Sequence, residues 1–283
     1  MRVRIARVSG FCFGVERVVQ MTEKASQTQP VDTLGPIIHN PFVVKEFEGK
    51  GVKAIGTLAE TDKTTVVVRA HGVPPEFYDE ARRRGIKLLD GTCPFVKDVQ
   101  HAAQTLQKEG YEIVIVGKKD HPEVKGVLGY VNGEAHVVGS AEEARAHSFT
   151  NDKVGVVVQT TFRHDVFSAC VDELMRKAQE VRIFNTRCED TDQRQIAAEE
   201  LAAEVQIMIV VGGKDSSNTH KLWELAKNSG ARAYHIETAA ELDAAWFDGV
   251  DEVGVVGGAS TPHTIVQQVV SRIESFQPAA ARP

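Results

Sequence analysis

The chain has 283 residues, room for about two domains of ordinary size. Apolar residues make up 42% and charged residues 25%, values of a globular protein that exclude a disordered or fibrous chain. Lys plus Arg number 33 against 39 for Asp plus Glu, a formal charge of −6 that argues against a nucleic-acid partner, whose phosphates call for a basic excess. The longest apolar runs, at 113–116 and 205–211, are too short to cross a bilayer, and Arg2, Arg4 and Arg7 leave no signal-like apolar stretch at the start. The expectation is a soluble, cytoplasmic protein with no membrane partner.

Taken in chain order, a β-branched run at 66–68 is followed by helical periodicity at 75–84 and 95–109. Buried-strand patterns at 113–116 and 154–158 precede helices at 163–179 and 193–203. Strand 205–211, helix 216–229, strand 253–256 and helix 262–276 complete the series, and only 277–283 reads as a loose tail. Such alternation predicts the α/β class with mainly parallel sheets. No Pro-, Ser- or Gly-rich linker separates domains.

A threefold repeat lies in the spacing. Cys12, Cys93 and Cys188 each follow a strand-like run (VRIARVSGF, IKLLDGT, VRIFNTR) and precede a helix-like one. A second polar cluster follows at His39, His121 and Ser216, respectively 27, 28 and 28 residues on, in GPIIHN, GKKDHPE and GGKDSSN. A third lies at His71, Thr160 and Ser260, in VVVRAHGV, GVVVQTTF and GVVGGASTP. Open α/β sheets bind ligands at the carboxyl ends of their strands, where all of these residues fall. Three units about an axis would bring three thiols and six polar clusters to one point. Turn chemistry explains each Gly, Ser or Asn singly, but not the common spacing.

Three cysteines without a C-x-x-C pair suit a metal centre with one open position. Zinc with three sulfurs is one solution; an iron–sulfur cluster lacking its fourth thiolate is the other. Cys170, inside the 163–179 helix among apolar neighbours, reads instead as a small buried hydrophobe. The polar set reads as an anion site. His39, His71 and His121 offer ring N–H donors, and Ser216, Ser217, Asn218 and Ser260 offer donors near helix starts, where phosphate is favoured. Few Lys or Arg accompany them, which predicts a small diphosphate held by directed bonds. Glu123, in HPEV two residues after His121, is the candidate acid of the set. A surface Glu complementing a helix dipole is the ordinary alternative; in an enclosed pocket it is a proton source.

The ordered motifs GFCFGVERVV (10–19), HN (39–40), AHGV (70–73), DGTCP (90–94), HPEV (121–124), QTT (159–161), RQ (194–195), SSN (216–218) and ASTP (259–262) resemble those of the LytB/IspH family, the 4-hydroxy-3-methylbut-2-enyl diphosphate reductases of the methylerythritol phosphate isoprenoid pathway. The resemblance covers essentially the whole chain. It implies a trefoil of three α/β domains, 14–93, 94–184 and 1–13 with 185–283. One [4Fe–4S] cluster per chain would be bound by Cys12, Cys93 and Cys188, leaving one iron open. It further implies diphosphate binding by His39, His71, His121, Ser216, Ser217, Asn218 and Ser260, a substrate contact at Thr160, and Glu123 as proton donor. Three departures stand out: the loose NTRCEDTDQRQ around the third cysteine, RAHGVPPE where serine commonly precedes AHG, and His263 where an acid often follows STP.

The chemistry so implied is reductive dehydroxylation, giving isopentenyl or dimethylallyl diphosphate. Since GGKDSSN is not the G-x-G-x-x-G of a nucleotide site, the electrons are expected from an external one-electron donor such as ferredoxin or flavodoxin. Two other readings compete: a non-catalytic diphosphate-binding or cluster-sensing regulator, which needs no acid, and a zinc hydrolase.

Overall fold

The computed structural model describes residues 1–38, 40–132 and 134–276. The chain opens with β1 (Arg2–Ile5) and α1 (Phe13–Thr28). It continues through β2 (Asp32–Leu34), α2 (Pro41–Gly49), β3 (Ala54–Ile55), β4 (Thr65–Val68), α3 (Pro75–Arg84), β5 (Lys87–Asp90) and α4 (Pro94–Lys108). Next come β6 (Glu112–Val116), α5 (Pro122–Tyr130), β7 (Ala135–Val138), α6 (Ala141–Ala146), β8 (Lys153–Val158), α7 (His164–Met175) and β9 (Glu180–Phe184). The last are α8 (Glu189–Glu204), β10 (Ile207–Val211), α9 (Ser217–Asn228), β11 (Arg232–Ile236), β12 (Glu252–Gly257) and α10 (His263–Ser275). The class is α/β, with three wholly parallel four-stranded sheets among the described residues.

The chain forms two compact units. One comprises residues 1–16, 38–46 and 189 onward and holds the sheet β11-β10-β12-β1. The other comprises 17–37 and 47–188 and holds two sheets, β3-β2-β4-β5 and β7-β6-β8-β9. All three sheets have one plan: the strand leading to a cysteine lies at an edge, beside the strand leading to the third polar cluster. The sheets therefore regroup the sequence repeat. Cys93 shares a sheet with the His71 strand, which precedes it in the chain, and Cys188 with the Thr160 strand. Cys12, near the start, shares one with the Ser260 strand near the end. The grouping shifts because the helix after a cysteine leaves the sheet just completed: α4, which follows Cys93, packs on β6, β8 and α5.

Central strands β4, β6, β8, β10 and β12 are buried throughout or in all but their first residue, as parallel strands covered on both faces must be. That burial is why they read as unbroken Val/Ile runs. The cysteine strands β1, β5 and β9 are edges and keep partly exposed, mixed sequences. Between the layers, Val99, Ala103 and Leu106 of α4 meet Ile113, Ile115 and Val157.

Three boundaries differ from the periodicity by more than one residue. Helix α7 stops at Met175 rather than 179, because the N–H groups of Gln179 and Glu180 bond the Asp152 carbonyl and start β9. Helix α8 begins at Glu189 rather than 193. Its polar first turn, Glu189, Asp190 and Asp192, complements the helix dipole instead of showing an apolar stripe. Strand β10 starts at Ile207, and the Gln206 side chain, just before it, accepts N–H bonds from Asp251 and Glu252.

Candidate active site

Cys12, Cys93 and Cys188 are each fastened by the backbone to the third polar cluster of their own sheet. Cys93 N–H donates to the Ala70 carbonyl at 2.9 Å and Cys188 N–H to that of Thr160 at 2.8 Å. In the other unit, Cys12 N–H donates to Ala259 at 3.1 Å. The approach of the Cys93 loop to β4 requires glycine at 91, where a Cβ would collide with the Val68 carbonyl. No disulfide joins any of the four cysteines among the described residues, and Cys12, Cys93 and Cys188 are all partly exposed. Burial raises the Cys12 pKa, while the Val15 and Gly14 N–H groups oppose that shift by bonding the sulfur. Cys170 differs in kind. It is wholly buried among Phe167, Val171 and Leu174, and burial pushes its thiol up to about 11.

Within the larger unit, four of the expected residues belong to one constellation. His121 caps α5, and its Nδ1 accepts the Glu123 N–H at 3.2 Å, which assigns the ring proton to Nε2. The Glu123 carboxyl turns inward and is only 2% exposed. Thr160 grips both its oxygens, through its N–H and its hydroxyl, each at 2.7 Å. Burial pushes the carboxyl up to about 7 against the pull of these two bonds. A surface residue serving only the helix dipole would not be buried, so that alternative fails. The His71 and His121 rings meet edge to face at 5.3 Å. Gln159, buried, accepts the Lys118 N–H at 3.0 Å and locks the loop before α5 onto the end of β8.

The raised pKa has a thermodynamic consequence. A carboxyl near 7 in the folded chain and about 4.3 unfolded adds stability below pH 4, which is lost as pH rises toward 7. Between pH 5 and 8 the Glu123 contribution is expected to fall by about 2–3 kcal/mol. Glu123→Gln should remove that part of the slope. Denaturant unfolding of both proteins at the two pH values, at equal metal loading, measures it; parallel slopes would show a carboxyl that titrates normally.

In the smaller unit, Ser216 caps α9, its hydroxyl accepting the Thr219 N–H at 3.3 Å. Ser217 and Asn218 form the first turn, and a helix start of this kind attracts anions through its backbone N–H groups and the dipole. Both polar atoms of the Asn218 amide are buried and have no hydrogen-bond partner among the described residues. A buried amide left so is costly unless a ligand completes it. Ser260 lies in the turn after β12, and its carbonyl accepts the Asn40 amide at 2.9 Å. Asn40 also caps α2, accepting the N–H groups of Phe42 and Val43. His39 lies outside the described residues.

Three residues with no role assigned from sequence enter here. Gln159 and Asn40 sit inside recognisable motifs, yet their work is to brace loops, which spacing does not reveal. Arg69 ends the buried β4 run. Its Nε is buried with no hydrogen-bond partner among the described residues, and burial lowers its pKa. It crowds Gly35, whose φ of +72° and lack of a Cβ leave room for the guanidinium. An arginine continuing a run of buried valines was the available signal.

Parallel sheets with thiols, imidazoles and an inward carboxyl near the carboxyl edges of one unit, and a thiol and helix-start donors near that of the other, define an α/β protein built for small-molecule chemistry. The chain belongs to the LytB protein family, whose model matches residues 3–274. A relative from Geobacter sulfurreducens is 47% identical, with 98% of each chain covered, and one from Aquifex aeolicus is 45% identical, with 96% of each covered. Both are named 4-hydroxy-3-methylbut-2-enyl diphosphate reductase. A solved structure of the (E)-4-hydroxy-3-methyl-but-2-enyl diphosphate reductase, described as the terminal enzyme of the non-mevalonate pathway, is 44% identical with a TM-score of 0.76, covering 97% of this chain and 100% of that one. A solved structure of the E-1-hydroxy-2-methyl-but-2-enyl-4-diphosphate reductase from Plasmodium falciparum matches with a TM-score of 0.88 at 28% identity, covering 95% of this chain and 86% of that one.

Proposed function

We propose that the chain reduces 4-hydroxy-3-methylbut-2-enyl diphosphate to isopentenyl and dimethylallyl diphosphate, with Glu123 delivering the proton on which the allylic hydroxyl leaves as water. The observation that carries this reading is the Glu123 carboxyl, buried, held on both oxygens by Thr160 and pushed up to about 7. Such a group keeps a transferable proton near neutral pH. Overall the reaction takes two electrons and two protons: one proton departs in water and one ends on carbon.

The donor set suits a diphosphate. His71 and His121 present ring nitrogens, the α9 start presents N–H groups with Ser216, Ser217 and Asn218, and Ser260 adds a hydroxyl; His39 completes the set by resemblance. Three cysteines at topologically equivalent edges, one with backbone N–H bonds to its sulfur, suit an iron–sulfur group. Cys12, Cys93 and Cys188 would hold a [4Fe–4S] cluster, which would supply the electrons singly, while the protein orients, desolvates and protonates. The family reading further includes a trefoil of domains 14–93, 94–184 and 1–13 with 185–283, and ferredoxin or flavodoxin as the external donor.

Steady-state reduction by a strong artificial donor, with iron and sulfide analysis of anaerobically purified protein, tests the whole reading. Diphosphate binding without turnover would leave the regulator; zinc in place of iron and sulfide would leave the hydrolase. Replacing His71 or His121 by phenylalanine is expected to weaken substrate binding by roughly 1.5–3 kcal/mol, the worth of a charge-assisted bond, with cluster absorption retained. Unchanged affinity alongside a bleached cluster would exchange the roles assigned to imidazoles and thiols.

A further inference from the structure

A second group of potential ligands lies toward the amino end of the sheet β7-β6-β8-β9, away from the carboxyl edge where Glu123 and Thr160 follow β6 and β8. Glu112 opens β6, His136 lies in β7, and His147 follows α6. With a rise of about 3.3 Å per residue, the run of β6 separates Glu112 from the carboxyl edge by about 13 Å. His136 Nε2 stands 2.8 Å from Glu112 Oε1, and His147 Nε2 stands 4.0 Å from the same oxygen. One ligand atom from each of the three lies within 4.8 Å of the others. The two rings are tilted against each other with centroids 3.9 Å apart, and Phe149 packs on the edge of His147.

We propose that Glu112, His136 and His147 bind a single divalent transition-metal ion, of the zinc type, in a site separate from the cysteines. Two imidazoles and one carboxylate are a recurrent zinc donor set, leaving a fourth position for water. Bonds of about 2.0–2.2 Å in a tetrahedron need donors about 3.4 Å apart, so small side-chain adjustments bring all three to an ion. His147 Nε2 is buried and has no hydrogen-bond partner among the described residues. The carboxylate is prepared as well. Its Oε2 accepts three bonds, from Thr150 N–H at 2.8 Å, the Thr150 hydroxyl at 2.9 Å and Asn151 N–H at 2.9 Å, which leaves Oε1 facing the imidazoles. Burial alone would raise the Glu112 pKa, yet these bonds and His136 hold it below the usual range. Supporting bonds of this kind orient ligands in metal sites. Lys177 donates to the carbonyls of Arg145 and His147 and so braces the backbone that carries His147. The ion would clamp the amino ends of β6 and β7 to the 147–151 loop.

Cobalt(II) is the probe, because its spectrum separates nitrogen and oxygen ligands from sulfur. Titrated into anaerobically purified, cluster-loaded protein, one equivalent is expected to bind with ligand-field bands and no thiolate-to-cobalt charge transfer. His147→Ala removes a ring that carries no hydrogen bond at Nε2, so folding should survive. It should weaken binding by more than the about 10–100-fold that loss of an outer supporting bond costs. Thr150→Val, which keeps all three ligands, should show that smaller loss. Absence of binding by the wild type, equal affinity in His147→Ala, or a thiolate charge-transfer band would each overturn the site.

Discussion

Turnover by Glu123→Gln is expected to fall by about 10²–10⁴-fold, the usual worth of a positioned acid, while substrate binding persists. The substitution keeps the shape of the side chain, and an amide can still exchange hydrogen bonds with the Thr160 N–H and hydroxyl that now grip the carboxyl at 2.7 Å. Only the transferable proton is gone. The wild-type rate should also decline as pH rises through about 7, where burial places the Glu123 titration, and the variant should lose that limb. Steady-state rates across pH with an artificial donor, and binding followed by perturbation of the cluster spectrum, measure the two effects separately. Near wild-type turnover in the variant would remove Glu123 as donor and point to a substrate diphosphate oxygen or a water held by Thr160.

The second large effect concerns the thiols. On the proposed cluster reading, Cys93→Ser is expected to lose most of its iron and sulfide, and nearly all activity, because a hydroxyl would replace a thiolate ligand. Cys12→Ser and Cys188→Ser should behave alike, since all three cysteines hold the same place beside their neighbouring strands. Cys170→Ser should retain cluster and activity. Its sulfur is enclosed by Phe167, Val171 and Leu174, and its raised thiol pKa disfavours the thiolate. Its cost should be one of stability, from burying a hydroxyl without a partner. Iron and sulfide content, visible absorption and turnover of the four variants decide the matter; a brown, active Cys93→Ser or a colourless Cys170→Ser would reverse the assignment.

Much of this protein was written locally. The central strands announce themselves as Val/Ile runs because both their faces are covered, and the strand-end motifs keep their spacing because each sheet repeats one plan. The motifs also named the family, and the structural matches agree with it. Other features depend on residues far apart in the chain. That β1 completes the sheet of β10 and β12, and that Cys93 and Cys188 are pinned to the cluster before them but Cys12 to the one near the end of the chain, follow from strand pairings that spacing cannot rank. Position at a helix start allowed Glu123 to be a surface charge; only its approach to Thr160, 37 residues on, makes it a buried acid. The same holds for Glu112, His136 and His147, which share no motif and meet because β6 and β7 pair in register and the loop after α6 folds back over their ends. Sequence determines what each segment can bury and which side chains it offers; the pKa and the partners of a side chain belong to its surroundings, which only the packed chain supplies.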